Sequence, residues 1–326
     1  MLQEEGSVSA GDGIQISKTS LVTIIICTGL SVLFRNIPPL SMIYLSPLGY
    51  ALIATGSFWL TFCAAAAVNI ILYIVSFISS PNAGSEILLL VAFFIILDLC
   101  YLWIMGGKNL RTLYRFIFAS AAGAIALLFF VFRKDTTFYT MFYSVAENLS
   151  SALTGSLEGE VVEGSIQLSP ERLIESTQNM LLRGGALVSM LLIFFISRQI
   201  ALAVIMLIKR QKFETGFITF CAPANTAWVI LGSFVTILLT KALSADIIEI
   251  IAWNAFVVSA IIFLTQGAGV LMYWFSRKSN TFRIISIVVL TIVIFISPLN
   301  ILAIAALLIL GIADNWRQFR IPSNRE

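Results

Sequence analysis

Asp98 sits in FFIILDLCYLW, an acid surrounded by apolar residues. An ionisable side chain inside a bilayer costs a few kcal/mol on insertion scales and is a functional candidate by default. Asp98 is read here as the one such residue lying deep. It could serve as a cation or proton site, or as counter-ion to Arg111 or Arg115 on the following helix. The plainer alternative places it nearer the interface with a local partner. Four amides form the next tier: Asn69, Asn225, Asn254 and Gln266. Lining one cavity together they would bind a polar solute; singly, each is explained by an interhelical hydrogen bond of about 0.6–2 kcal/mol. A last cluster closes the chain in LILGIADNWRQFR. There Trp316 suits the aromatic belt, Arg317 and Arg320 suit the cytoplasmic headgroups, and Asp314 can pair with Arg317 three residues on. Asp314, Trp316, Arg317 and Arg320 are therefore expected to anchor the membrane end of a helix.

Other chemistry has little material. The chain has no histidine, so His-ligated metals, a His base and His-containing triads are excluded. Cys27, Cys63, Cys100 and Cys221 fall in or beside apolar runs without paired spacing and read as packing residues. No phosphate-cradling GxxxxGK[ST] or GxGxxG pattern occurs, and the basic residues are too dispersed for a nucleic-acid surface. No cofactor, metal or enzymatic activity is expected. Any energy coupling must come from an ion gradient or a partner protein.

The elements that position these residues follow from composition. Of 326 residues, 59% are hydrophobic and only 11% charged, against about 25% charged in soluble domains. Mean hydropathy is +0.97. Runs such as ILLLVAFFIIL and IISIVVLTIVIFI recur along the chain, and a bilayer crossing needs about 20 mostly apolar residues. Continuous apolar runs exclude the alternating strands of a β-barrel. The expected fold is all-α, a polytopic helical transmembrane bundle of about 8–10 membrane segments in contact with the lipid bilayer.

Apolar segments fall at 19–35, 38–55, 57–79, 86–105, 112–132, 184–208, 220–241, 247–275 and 282–313. Pro38, Pro39, Pro47 and Gly56 predict a short, broken second helix packed on the third. The last segment would be about 48 Å long as one helix, and Ser297-Pro298 predicts a break. Residues 1–17 read as a mobile tail, 18–313 as one membrane domain and 314–326 as a cytoplasmic tail. Lys and Arg gather at 108–115, 209–212 and 277–283, which marks those turns as cytoplasmic. If 282–313 crosses twice, this orientation puts the C-terminus on the cytoplasmic side of a cell inner membrane; it puts the long insert 133–183 outside. Within the insert Phe138, Phe142, Val145, Leu149 and Leu153 predict an amphipathic helix. Ser169-Pro170-Glu171 predicts a helix start, with Ser as N-cap and Pro at the first helical position.

Small residues (Ala64–Ala67; Ala119, Gly123 and Ala126; Gly267 and Gly269) permit close helix packing, or docking of another membrane protein.

FLTQGAGVLMYWFSRK (263–278), then an apolar run with a central proline, then LGIADNWRQFR (310–320) resembles the C-terminal signature of the YybS-like family of bacterial polytopic membrane proteins. Gln266-Gly267, Tyr273, Trp274, Gly311, Asp314 and Arg320 carry the resemblance. IPPLSMIYLSPLGYAL, SPERLIESTQNMLL and FCAPANTAW extend it more weakly. One departure is Gly184-Gly185, where a proline would be expected. The family is in turn distantly similar to substrate-binding subunits of energy-coupling-factor transporters. That implies an outward-open solute cavity and a separate energising partner. The function expected is a small-solute-binding or transport subunit; the alternative is a non-transporting scaffold or assembly factor that docks partner proteins.

Overall fold

The computed structural model describes residues 18–36, 38–79, 84–106, 112–133, 139–140, 143–148, 150–151, 169–209, 220–243, 245–278, 299–317 and 319. Its regular elements are helical, and the protein is an all-α polytopic membrane bundle. Among the described residues six helices are long and apolar enough to cross a membrane, and two shorter apolar helices cover 20–35 and 226–240. Their outward faces carry large apolar side chains: Leu207 is 78% exposed and Ile247 75%. Water would not tolerate such patches, whereas lipid covers them. The chain divides into two compact units, 1–126 with 191–211, and 127–190 with 212–326.

In the first unit, helix α1 (Lys18–Asn36) leads into a 3-10 helix (Pro38–Ile43) and then α2 (Ser46–Thr55). Next come α3 (Phe58–Ser79), α4 (Gly84–Gly106) and α5 (Thr112–Phe132). The broken second segment expected from its prolines is present. Pro47 lies in the first turn of α2, and Gly56 ends it with φ 68°, its N–H donating to the Leu52 carbonyl at 2.8 Å. At 10 residues α2 rises about 15 Å, half a bilayer. It is apolar on nearly every side and accordingly buried, with Leu48, Ala51 and Leu52 in the core. Ala51 packs with Ile24 and Cys27 of α1, flanked by Leu60 and Ala64 of α3. Tyr44 meets Phe94 edge-on, Gly49 faces Tyr101 and Leu52 lies beside Gly106. These contacts step the same way along both elements, so the broken segment runs parallel to α4 and its break lies level with Phe94.

In the second unit, Ser169 caps helix α6 (Pro170–Met180), its hydroxyl accepting from the Arg172 N–H at 3.4 Å. A wide turn, Leu181–Gly185, joins α6 to α7 (Ala186–Lys209), whose residues from Leu191 onward belong to the first unit. Gly184 adopts φ 109° there, against Val257. A side chain would be strained in that conformation, so glycine makes the bend where a proline was expected. Of the amphipathic insert helix, residues 143–148 are helical; Ala146 is buried and Val145 faces outward. Phe138, Phe142, Leu149 and Leu153 lie outside the described residues. The Tyr143 hydroxyl donates to Glu171 at 3.0 Å, and that carboxylate holds the phenol above its ordinary pKa.

The unit continues with α8 (Thr226–Leu243), α9 (Asp246–Ser276) and α10 (Leu299–Arg317). Helix α10 begins at Leu299; residues 282–298, with Pro298, lie outside the described residues. Helices α9 and α10 touch backbone to backbone. A Cβ on Gly267 would strike the Leu307 carbonyl, and one on Gly311 the Phe263 carbonyl.

Candidate functional site

The polar centre of the first unit is assembled by four elements. Arg35 ends α1, Asn69 lies midway along α3, Asp98 projects from α4, and Tyr44 occupies the break before α2. Arg35 Nη1 donates to Asn69 Oδ1 at 2.7 Å. Asn69 Nδ2 donates to Asp98 Oδ2 at 2.9 Å and to the Ala65 carbonyl at 3.0 Å. A guanidinium has only donors and a carboxylate only acceptors, and an amide, which carries both an acceptor oxygen and donor N–H groups, satisfies the two at once. Arg35 and Asp98 thus face each other across Asn69 without a direct ion pair.

The guanidinium also stacks on the Phe94 ring, 4.0 Å from its centroid. Asp98 is 3% exposed, Asn69 4% and Tyr44 5%.

Two polar atoms of this cluster, Asp98 Oδ1 and Tyr44 Oη, find no hydrogen-bonding group among the described residues. Leaving such an atom unsatisfied costs about 1–3 kcal/mol. Both residues line one cavity of about 10 Å³, together with Thr28, Ser31 and Arg35. That volume is on the order of one water molecule. The Thr28 hydroxyl donates to the Ile24 carbonyl at 2.8 Å, which leaves its lone pairs as acceptors.

The other sequence candidates are placed differently. Asn225 is exposed in the turn before α8, where its carbonyl accepts from the Trp228 and Val229 N–H groups at 3.1 and 3.2 Å. Asn254 donates to the Leu182 carbonyl at 2.7 Å, satisfying a backbone group at the wide turn. Gln266 is 1% exposed; its Nε2 donates to Asp314 Oδ2 at 2.8 Å and its Oε1 accepts from the Ala222 N–H at 3.0 Å. Asp314, grouped by sequence with the anchor, is 3% exposed and also accepts from the Phe319 N–H at 2.9 Å. Trp316 and Arg317 are exposed, and Arg320 lies outside the described residues. Asn69 and Asp98 therefore meet in the first unit, while in the second unit Asn254 and Gln266 each serve a separate helix contact.

Asp98 is not the only deep ionisable residue. Arg198 stands near the middle of α7, 5.9 Å from the Phe116 ring; Arg115, though 2% exposed, lies in the first turn of α5. The cation that shares the Asp98 site is Arg35; Arg111 lies outside the described residues, and Arg115 is buried within α5 rather than set in an exposed turn. Sequence alone does not single out Arg35, because FRNIPP has the form of a helix end at a membrane surface, nor Tyr44, which nothing local marks. The prolines after Arg35 were the available signal, since they return the chain into the bundle. Among the described residues no group of three or more Cys, Asp or Glu is placed to hold a metal.

Comparison with family models, with curated proteins and with solved structures returned no match to this chain.

Proposed function

We propose that this chain is a small-solute-binding or transport subunit of the bacterial inner membrane, non-enzymatic, with its C-terminus inside. On this reading it belongs with the YybS-like proteins and works with a separate energising membrane partner. The observation that carries it is the Arg35–Asn69–Asp98 cluster, with Asn69 and Asp98 buried and Arg35 half-buried, at the break of a discontinuous segment beside a small cavity. Broken helices are where transporters place solute and ion sites, because irregular backbone at membrane depth must be enclosed by protein or line a cavity. Simple packing would be served at lower cost by apolar residues.

The second reading, a non-transporting scaffold, draws support from Asn254 and Gln266, whose polar groups are spent on holding helices together. Purification in mild detergent, with mass spectrometry of co-eluting small molecules and subunits, separates the two. A small molecule that accompanies the wild type and is lost in Asn69→Ala supports the solute-binding reading. Protein partners without any small molecule would leave the scaffold standing in its place.

A further inference from the structure

The cluster has a charge balance that restricts what it can bind. Arg35 and Asp98 sum to zero when both are ionised, and Asn69 between them is neutral. A proton added to Asp98 alone would leave the half-buried guanidinium without its countercharge. An anion added alone would leave an excess negative charge. Either state leaves a net charge that is costly to hold out of bulk water. Arriving together, proton and anion restore neutrality.

We propose that this cluster takes up one proton on Asp98 together with one compact monovalent anion held by Arg35. The inference rests on reading the chain as a solute-binding subunit and names the chemistry of its site. Asp98 Oδ2 is held by Asn69, whereas Oδ1 is buried without a partner among the described residues, and Asp98 is one of the residues around the cavity. A proton from solvent can bond to Oδ1 while Oδ2 still accepts from Asn69, so protonation breaks no existing hydrogen bond. Arg35 has five N–H donors, and one hydrogen bond, to Asn69, accounts for a single donor. The residues around the cavity therefore carry donors on Arg35 and the Tyr44 hydroxyl, and a third on Asp98 once it is protonated. Three donors around a volume of about 10 Å³ suit a compact acceptor, either a halide or the carboxylate end of a small solute. The ionisable groups facing Asp98 are Arg35 from α1 and Tyr44 from the break, with Cys100 of α4 near Tyr44. Helix α3 presents the neutral Asn69 and α2 presents Leu48.

The test uses the full chain in detergent at near-neutral pH, with minimal buffer and a pH-indicator dye. Sodium chloride and sodium formate are the probes, sodium gluconate is the ionic-strength control, and anion binding is followed by calorimetry. Saturable uptake of about one proton per chain with chloride or formate is expected, and the effective probe distinguishes a halide site from a carboxylate site. Asp98→Asn, nearly isosteric, should keep anion binding and lose the proton uptake. Arg35→Gln should weaken anion binding at least tenfold, on the order of one charge-assisted hydrogen bond. Arg35→Lys guards against misfolding: it should melt near the wild type and bind the anion more weakly while still taking up a proton. No proton uptake with either probe, or undiminished uptake in Asp98→Asn, overturns the proposal. A neutral or cationic solute that co-purifies with the wild type and is lost in Asn69→Ala would overturn it while leaving the solute-binding reading intact.

Discussion

Asn69 is the residue on which the first unit's polar centre depends, because its amide hydrogen-bonds both charged groups. Asn69→Ala would leave Arg35 and Asp98 without these hydrogen bonds. The expected loss is about 2–4 kcal/mol of stability, read as a lower midpoint in detergent unfolding. Asn69→Asp should also destabilise the protein, since it sets two carboxylates in contact; a variant as stable as the wild type would show the amide to be dispensable. At the rim of the second unit a smaller effect can be isolated. The Glu171 carboxylate favours the neutral Tyr143 phenol, because ionising that phenol would put two anions in contact. Glu171→Gln should therefore lower the Tyr143 pKa toward the ordinary phenol value, measured by ultraviolet titration against a Tyr143→Phe control.

Between elements, the α9–α10 contact carries the sharpest expectation. Gly267 and Gly311 let the two backbones touch, and Gln266 and Asp314 fasten the helices beside that contact. Gly311→Val must push the helices apart and strain that hydrogen bond, at a cost of about 2–4 kcal/mol. Gly232, on an open face of α8, should accept valine with little change and serves as the control. This contact also shows what could be read from sequence. Gln266, Gly267, Gly311 and Asp314 were each marked out, by small-residue packing or by the family signature. Their meeting was invisible because residues more than forty apart in the chain become neighbours only when α9 and α10 pair. The broken second segment was legible from Pro38, Pro39, Pro47 and Gly56, since proline and glycine act locally. Arg35 was not, since an arginine before a proline turn looks the same whether the chain leaves the membrane or folds back into it. Arg198 was missed for a different reason. One cation in a long apolar run barely alters its average hydropathy, so composition hides it.

At the scale of the whole molecule, lipid is the surrounding medium for most helices, and exposed side chains such as Trp59, Ile78, Leu207 and Ile247 follow from it. Removing detergent from the purified chain should give aggregates rather than a monomer, as followed by analytical ultracentrifugation. Charge distribution sets orientation. Replacing Arg317 and Arg320 together by Glu should disturb insertion or invert the last crossing, because the local positive-inside bias is lost. Reporter fusions at the C-terminus would register the change, and normal insertion would argue that other turns determine the topology. Length and apolar content made the membrane class readable from the sequence, whereas the division into two units depends on contacts between distant segments.

The ten-residue helix Ser46–Thr55 also constrains biogenesis. A segment spanning half a bilayer, preceded by a 3-10 turn, gains too little from lipid to remain inserted by itself during synthesis. It must wait at the translocon, or near the headgroups, until Phe58–Ser79 and Gly84–Gly106 emerge and supply its walls. Nascent chains stalled before Gly106 should thus hold Tyr44 accessible to water-soluble reagents, and chains released beyond it should hide that residue as the early helices close together.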